Sequence, residues 1–346
     1  MILQQLANAS GPSGREEAVR QVVIEAIRDH VDSYQVDGLG NCIALKRGAA
    51  PAADGRSRRV MVSAHMDEVA LMIVQITGEG LLRFRKIGGI DDRVLPSKRV
   101  LVGEKRVPGV IGCKPLHLLH DAEFGQVAAS DDLYIDIGAS SATAAERLVQ
   151  RGDYAVFDTP YEPWPQARLV KGKAFDDRAG CAVLVELLRG DPYPFDLYGV
   201  FTVQEEVGLR GARVAAYAVD PDAAIALEGT ICDDMPKKKD ISSTTVLGQG
   251  PSITIMDRSM IADRRLVQLL IDTAQAEGIP YQFKQPLMGS TDSGTIHLAR
   301  EGVPTTVVSI PSRYIHSPVT LLSLDDLENT VKLMRAALIK LADLEL

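Results

Sequence analysis

Apolar runs in this 346-residue chain repeatedly end on residue types that bind metal ions, and few folds bring such ends together. Val60-Met61-Val62-Ser63-Ala64 ends on His65, with Asp67 two positions on. Leu197-Tyr198-Gly199-Val200-Phe201-Thr202-Val203 leads to Glu205-Glu206, and Ala223-Ala224-Ile225-Ala226-Leu227 ends on Glu228. Val307-Val308-Ser309-Ile310 continues through Pro311-Ser312-Arg313-Tyr314 to His316, and Asp176-Asp177 adds an acidic pair at a loop-to-helix junction. An open α/β sheet places its binding crevice just past the carboxyl ends of its strands, which gives these residues one common destination.

The rest of the pattern suits such a sheet. From residue 174 onward helical and strand patterns alternate: helix over 180–188, strand over 197–203, helix over 208–218, strand over 223–227, helix over 264–277 and strand over 304–310. This alternation predicts an α/β fold with a mostly parallel mixed sheet flanked by helices. Leu327, Val331, Met334, Leu338 and Leu341 follow Ser323 at helical spacing, so a last helix capped by Ser323 should pack on the sheet. Near the start, Ser13-Gly14-Arg15-Glu16 fits a capping box ahead of a helix with Val19, Val22, Val23, Ala26 and Ile27 inward. Between about 71 and 157 the pattern changes to short strands broken by glycine and proline, at 81–85, 99–102, 110–111 and 133–137. A β-rich domain over 71–157 is therefore expected inside a catalytic domain made of 1–70 and 158–346.

A formal charge of −8 argues against nucleic acid as a partner, since phosphate recognition relies on clustered Lys and Arg. The one basic run, Lys237-Lys238-Lys239, reads as a solvated loop. No segment approaches the ~18 apolar residues that span a bilayer, and the amino terminus lacks the pattern of a leader, so neither membrane nor export is expected and the cytoplasm is the default compartment. Cys42, Cys113, Cys181 and Cys232 are too scattered for a disulfide framework or a zinc ribbon and are expected to be buried thiols.

Two divalent ions about 3.5–4 Å apart need a bridging carboxylate and terminal nitrogen or oxygen ligands on both sides. In His65-Met66-Asp67 the aspartate can accept from the ring nitrogen that does not face a metal, fixing the tautomer. One carboxylate of Asp176-Asp177 can bridge, the other being held by Arg178 or by backbone amides; alone, this pair reads more readily as a helix cap than as a bridge. Adjacent glutamates after a buried strand are tolerable when one ligates a cation and the other carries a proton, which makes Glu206 the ligand and Glu205 the general base. His30, His120 and His297 read as structural or solvated.

Taken together, Ala64-His65-Met66-Asp67-Glu68-Val69, Phe175-Asp176-Asp177-Arg178-Ala179-Gly180, Val203-Gln204-Glu205-Glu206-Val207-Gly208 and Arg313-Tyr314-Ile315-His316-Ser317-Pro318 resemble the signatures of the tetrahedral (TET) aminopeptidases, which include glutamyl and deblocking aminopeptidases. The likeness spans nearly the whole chain, from Gly11-Pro12-Ser13-Gly14 to Gly289-Ser290-Thr291-Asp292 and beyond. It implies a zinc-peptidase-like catalytic domain, a PDZ-like insert for oligomerisation, and a self-compartmentalised tetrahedral dodecamer. It also implies two divalent metal ions per subunit, zinc or cobalt. Asp176 would bridge them, with Glu206 and His316 completing one site and His65 and Glu228 the other. Asp67 would orient His65, and Asp177 would follow a cis Asp-Asp peptide. Glu228 departs from the aspartate common among relatives, and Ala70 from a frequent glycine.

The reaction so implied is metal-assisted removal of the first residue from peptides with a free amino terminus. The cations would lower the pKa of bridging water from about 15.7 towards ~7 and polarise the scissile carbonyl, while Glu205 handles the proton. Two other readings remain open: an N-acyl amino acid deacylase or other amidohydrolase on the same residues, and a non-enzymatic peptide-binding assembly protein. Asp292, Arg210 and His117 are candidates for substrate contact.

Overall fold

Two helices open the chain, α1 (Leu3–Asn8) and α2 (Glu17–Ile27), before strands β1 (Ser33–Val36), β2 (Cys42–Lys46) and β3 (Arg59–His65). A second group follows: β4 (Ala70–Ile76), β5 (Leu82–Ile87), β6 (Arg99–Val102), β7 (Val107–Gly112), β8 (Tyr134–Asp136), α3 (Ala142–Glu146) and β9 (Tyr154–Phe157). The remainder comprises β10 (Glu162–Trp164), β11 (Leu169–Gly172), α4 (Phe175–Arg189), β12 (Asp196–Thr202), α5 (Arg210–Val219), β13 (Ala223–Ile231) and β14 (Ser252–Thr254). It ends with α6 (Arg264–Ala276), β15 (Gln282–Phe283), α7 (Ser293–Ile296), β16 (Thr305–Arg313), β17 (Thr320–Ser323) and α8 (Leu324–Leu341). This is a computed structural model, and it describes residues 2–49, 57–121, 124–236, 244–284 and 289–346; Lys237-Lys238-Lys239 lies outside the described residues.

Among the described residues eleven strands form one mixed sheet, in the order β1-β2-β12-β3-β13-β16-β17-β11-β10, with β14 and β15 attached beside β16. β12, β3, β13 and β16 are mutually parallel and central. The connections from β3 to β12, from β12 to β13 and from β13 to β16 are crossovers long enough to carry helices, as parallel pairing requires. The parallel part is narrower than the alternation of the sequence predicts. Short links such as the turn after β1, where Asp37 Oδ1 accepts from the amides of Leu39, Gly40 and Asn41, can make only antiparallel neighbours, and these occupy both flanks. Helices α2, α4, α6 and α8 bury their apolar faces with one side of the sheet. On the other side α5 contributes Ala212, Ala215, Ala216 and Val219 to a second core with Met61, Val200 and Ala224.

The second group closes into a six-stranded antiparallel barrel, β4-β5-β8-β7-β6-β9, with its own core of Leu71, Ile73, Leu82, Phe84, Val100, Ile111, Ile135 and Phe157. Closure removes the exposed strand edges that so small a β unit would otherwise present. The barrel enters directly from the end of β3, with four residues between His65 and Ala70.

Several local readings change. Ser323 does cap α8, its hydroxyl accepting from the Asp326 amide at 3.3 Å. The capping box at Ser13 does not form: the Ser13 hydroxyl donates to Asp67 at 2.6 Å, and Glu16 accepts from the amides of Gly14 and Gln204. Long-range partners with buried charge outcompete the local helix cap. β13 runs on through Glu228 to Ile231, and β16 through Pro311 to Arg313, because the two strands keep pairing with each other. Cys42, Cys181 and Cys232 are buried thiols, whereas Cys113 is exposed, since β7 ends there and the chain turns outward. No helix of the described residues is long and apolar enough to cross a membrane.

Sheet, barrel and amino-terminal segment meet at one buried ion cluster. The Glu68 carboxylate receives Lys173 Nζ at 2.7 and 2.6 Å, Arg178 Nη2 at 3.2 Å and the Gly11 amide at 2.9 Å. Removing one partner of a buried pair strands the other charges, at a cost of about 3–5 kcal/mol. Glu68→Ala should therefore lower the free energy of unfolding by an amount in that range, read from the urea midpoint and slope by circular dichroism.

Candidate metal centre

Three of the four parallel strands deliver a ligand-type residue at or just beyond their carboxyl ends, and the fourth, β13, delivers Glu228 from within. The centre they share is organised around Asp176. Its Oδ1 lies 3.3 Å from His65 Nε2 and its Oδ2 lies 3.3 Å from His316 Nε2, so one carboxylate faces two imidazoles from opposite sides. Glu206 Oε2 is 3.3 Å from His316 Nε2, while Glu228 Oε2 is 3.6 Å from His65 Nε2. The five side chains proposed from sequence as metal ligands are thus brought together in two half-sites joined by Asp176. His65, Asp176 and Glu206, and likewise His65, Asp177 and Glu228, offer atoms that all lie within 4.8 Å of one another.

Local structure explains how each is aimed. Asp176 and Asp177 precede the regular part of α4 with non-helical backbone, and the peptide between them is cis. Asp177 turns inward, where its Oδ2 accepts from the His65 amide at 3.2 Å and its Oδ1 from the Gly180 amide at 3.0 Å. Backbone amides, and not Arg178, hold it. Asp67 faces His65 Nδ1 across 3.4 Å, and the same carboxylate accepts from the amides of Glu205 at 2.9 Å and Glu206 at 3.1 Å. One buried aspartate therefore stands beside the first histidine and holds the turn that carries the paired glutamates. Glu205 Oε2 points back to within 4.0 Å of His65 Nε2.

Two supports had no signal in the sequence. The Gly89 carbonyl, from the barrel, lies 3.0 Å from His316 Nδ1; accepting that ring proton leaves Nε2 free to ligate. The Asp292 amide donates to Glu228 Oε1 at 3.2 Å, so the longer side chain at this position has one oxygen tied down and one for the centre. Asp292 itself is buried behind the site, where Thr202 donates to its Oδ2. It does not line the cleft. Arg210 is exposed and donates to Gln204, and His117 is exposed on the barrel, so neither reaches the site. Glycines followed by small polar residues mark only a loop, and nothing in such a pattern predicts which carbonyl or amide a distant side chain will meet.

Electrostatics fit a cation site. Burial pushes Glu205 and Glu228 well above the usual carboxylate range and Glu206 up to about 7, reinforced by their mutual repulsion. Burial works against the charged forms of the histidines, yet the hydrogen bonds they donate to Asp176, with the charges of the neighbouring carboxylates, outweigh it, lifting His65 well above normal and His316 to about 9. Asp176 is held below the ordinary range: burial opposes, and the two imidazoles overcome it. Such a cluster carries more negative charge than two histidines neutralise. Hard or borderline divalent ions suit this nitrogen and oxygen donor set.

The centre forms the floor of a cleft of about 620 Å³, walled by Leu209, Ile231, Lys284, Thr291, Tyr314 and Ile315 among others. Gly229 lets the cleft close on the bridge, because a Cβ there would stand 2.8 Å from Asp176 Cα, Cβ and Oδ1.

Residues 40–333 match the family model described as M42 glutamyl aminopeptidase. The lysyl aminopeptidase of Pyrococcus furiosus is 34% identical over 365 residues, covering 99% of this chain and 98% of that protein. Among solved structures, the TET aminopeptidase from the marine sediment archaeon Thaumarchaeota archaeon SCGC AB-539-E09 is 40% identical with a TM-score of 0.93, covering 98% of this chain and 95% of its own. The TET1 peptidase of Pyrococcus horikoshii, which can assemble into a tetrahedron or a large octahedral shell, is 37% identical with a TM-score of 0.84 over 97% of both chains.

Gly229→Ala must displace Asp176, and we expect it to weaken divalent-ion binding by roughly 10- to 100-fold, the range found when the supports of metal ligands are disturbed. Gly78→Ala, whose Cβ meets nothing within 4 Å, should leave binding unchanged. Calorimetric titration with zinc or cobalt compares the two.

Proposed function

Because the chain belongs to the M42 glutamyl aminopeptidase family, which takes in the TET aminopeptidases, we propose that it is a two-metal aminopeptidase that hydrolyses the first residue from peptides with a free amino terminus. The observation that carries this reading is the Asp176 carboxylate shared between His65 and His316. Asp176, His65 and Glu228 would hold one ion, and Asp176, Glu206 and His316 the other. Zinc or cobalt bound there supplies Lewis acidity, making water a nucleophile near neutral pH and polarising the scissile carbonyl.

The chain's own residues do the rest. Glu205 lies 4.0 Å from His65 Nε2, farther than Glu228 at 3.6 Å, and burial raises its proton affinity. It takes the proton from the attacking water and returns it to the leaving amine. Asp67 is a positioning residue that keeps His65 in one tautomer and holds the Glu205-Glu206 turn by its amides. The acidic floor of the cleft favours a terminal ammonium, which limits cleavage to one residue at a time.

The same reading assigns catalysis to residues 1–70 and 158–346 and assembly to 71–157, the closed barrel that the resemblance names PDZ-like. A tetrahedral dodecamer is supported by TET relatives that assemble in this way, and a cytoplasmic location fits peptide turnover. Exposed apolar residues of the barrel, Leu116, Leu118, Phe124 and Val127, suit contacts between copies.

Hydrolysis of aminoacyl chromophores and their N-blocked counterparts tests the proposal, before and after chelation and metal return. Activity should be confined to free-amine substrates, vanish with chelation and return with zinc or cobalt. Glu205→Gln should lower kcat by roughly 10²- to 10⁴-fold while metal still binds. Turnover only of blocked substrates would replace this reading with a deacylase, and none with any metal would favour a peptide-binding assembly role.

A further inference from the structure

Glu16 is a buried carboxylate that the reaction above does not use. Only 3% of the residue is exposed, it does not line the cleft, and among the described residues no Lys, Arg or His pairs with it. A charge in such a place is costly unless hydrogen bonds compensate it. Its Oε1 accepts from two backbone amides, Gly14 at 2.7 Å and Gln204 at 3.2 Å. The first is local. The second belongs to the turn that carries Glu205 and Glu206.

β12 stops at Thr202, so the amides that follow have left the strand ladder and need other acceptors. Side-chain oxygens from the amino-terminal part of the chain meet them in unbroken order. Asn41 Oδ1 accepts from Val203 at 3.0 Å, Glu16 from Gln204, and Asp67 from Glu205 at 2.9 Å and Glu206 at 3.1 Å. Gln204 itself adopts a φ of 56°, in the left-handed region, where a residue with a β-carbon stays only when its surroundings hold it there. Ser13, at the other end of the same motif, donates to Asp67. One short loop thus supports three consecutive amides, Gln204 directly and the next two through Asp67.

We infer that Glu16 is a positioning residue for the reaction: by holding the Gln204 amide it fixes the left-handed corner at which the chain leaves β12, and so aims Glu205 at the metal centre. This rests on the aminopeptidase reading above and deepens it. Glu16 acts through the backbone and touches neither metal nor substrate. Its acceptor oxygen matters and its charge does not, which separates it from an acid or base. Without that oxygen the corner relaxes towards negative φ and carries Glu205 with it, and a displacement of about 1 Å at a reacting group can cost about 100-fold in rate.

Glu16→Gln keeps a carbonyl oxygen in place of Oε1, and Glu16→Ala does not. With free-amine aminoacyl chromophores and zinc or cobalt, Glu16→Ala should lower kcat by roughly 10- to 100-fold with KM little changed, while Glu16→Gln stays near wild type. Backbone hydrogen exchange, followed by mass spectrometry, should quicken over 203–209 in Glu16→Ala and not in Glu16→Gln, with the central strands and the barrel unaltered. Wild-type kcat in Glu16→Ala, or equal loss in both variants, overturns the inference. So does exchange that rises throughout the sheet while kcat and KM change together, the signature of a merely stabilising residue. Each of these outcomes leaves the aminopeptidase reading standing. Should the wild type turn over no aminoacyl substrate with any metal, that reading fails instead, and exchange decides whether Glu16 holds the turn. Faster exchange over 203–209 in Glu16→Ala alone supports it; unchanged exchange overturns it.

Discussion

Arg178 is fully buried and permanently charged, and the architecture around the centre is arranged to satisfy it. Its guanidinium donates to the carbonyls of Leu6, Ala9, Gly11 and Met66 and pairs with Glu68, which also binds Lys173. An uncompensated charge of this kind costs several kcal/mol, so these partners are obligatory. Through them the amino-terminal segment is drawn over the end of β3, the barrel's first strand is fixed where it leaves the sheet, and the Asp176-Asp177 corner is held at the start of α4. Binding the cluster together places His65, Asp67 and Asp176 before any cation arrives.

Around that frame the site is built by side chains that each do two jobs. Asp67 stands beside His65 and accepts from the amides of Glu205 and Glu206, which couples the position of the histidine to that of the paired glutamates. Ser13 in turn donates to Asp67, so a residue that could have capped a helix becomes part of the support behind the centre. The barrel reaches back into the site through the Gly89 carbonyl at His316. Any shift of the barrel against the sheet would therefore be felt at one half-site, a physical link between the part proposed for assembly and the part proposed for chemistry.

Much of the sheet was legible from local pattern. Buried parallel strands demand continuous apolar runs, and β3, β12, β13 and β16 are such runs, with ligand-type residues at or near their ends. The Ser323 cap and the spacing of Leu327, Val331 and Met334 marked α8 for the same reason: both signals are local. Pairing was less legible. The antiparallel flanks follow from the lengths of connections, and the extension of β13 and β16 past Glu228 and Pro311 follows from each strand having the other beside it. Asp292 was a candidate for substrate contact, but folding buries it behind the site, whereas Lys284 lines the cleft wall.

Chemical character, then, was set by the sequence alone: which residue types stand at strand ends, and that the net charge of −8 makes nucleic acid an unsuitable partner. These are properties of single positions and short windows. Tertiary structure decided which atoms face one another. Asp176 faces two imidazoles, Asp67 clamps a turn more than a hundred residues away, and Glu16 meets the Gln204 amide, because these outcomes depend on strand order, register and the packing of distant segments. Contacts across such separations arise only when the whole chain closes, and no window of sequence contains them.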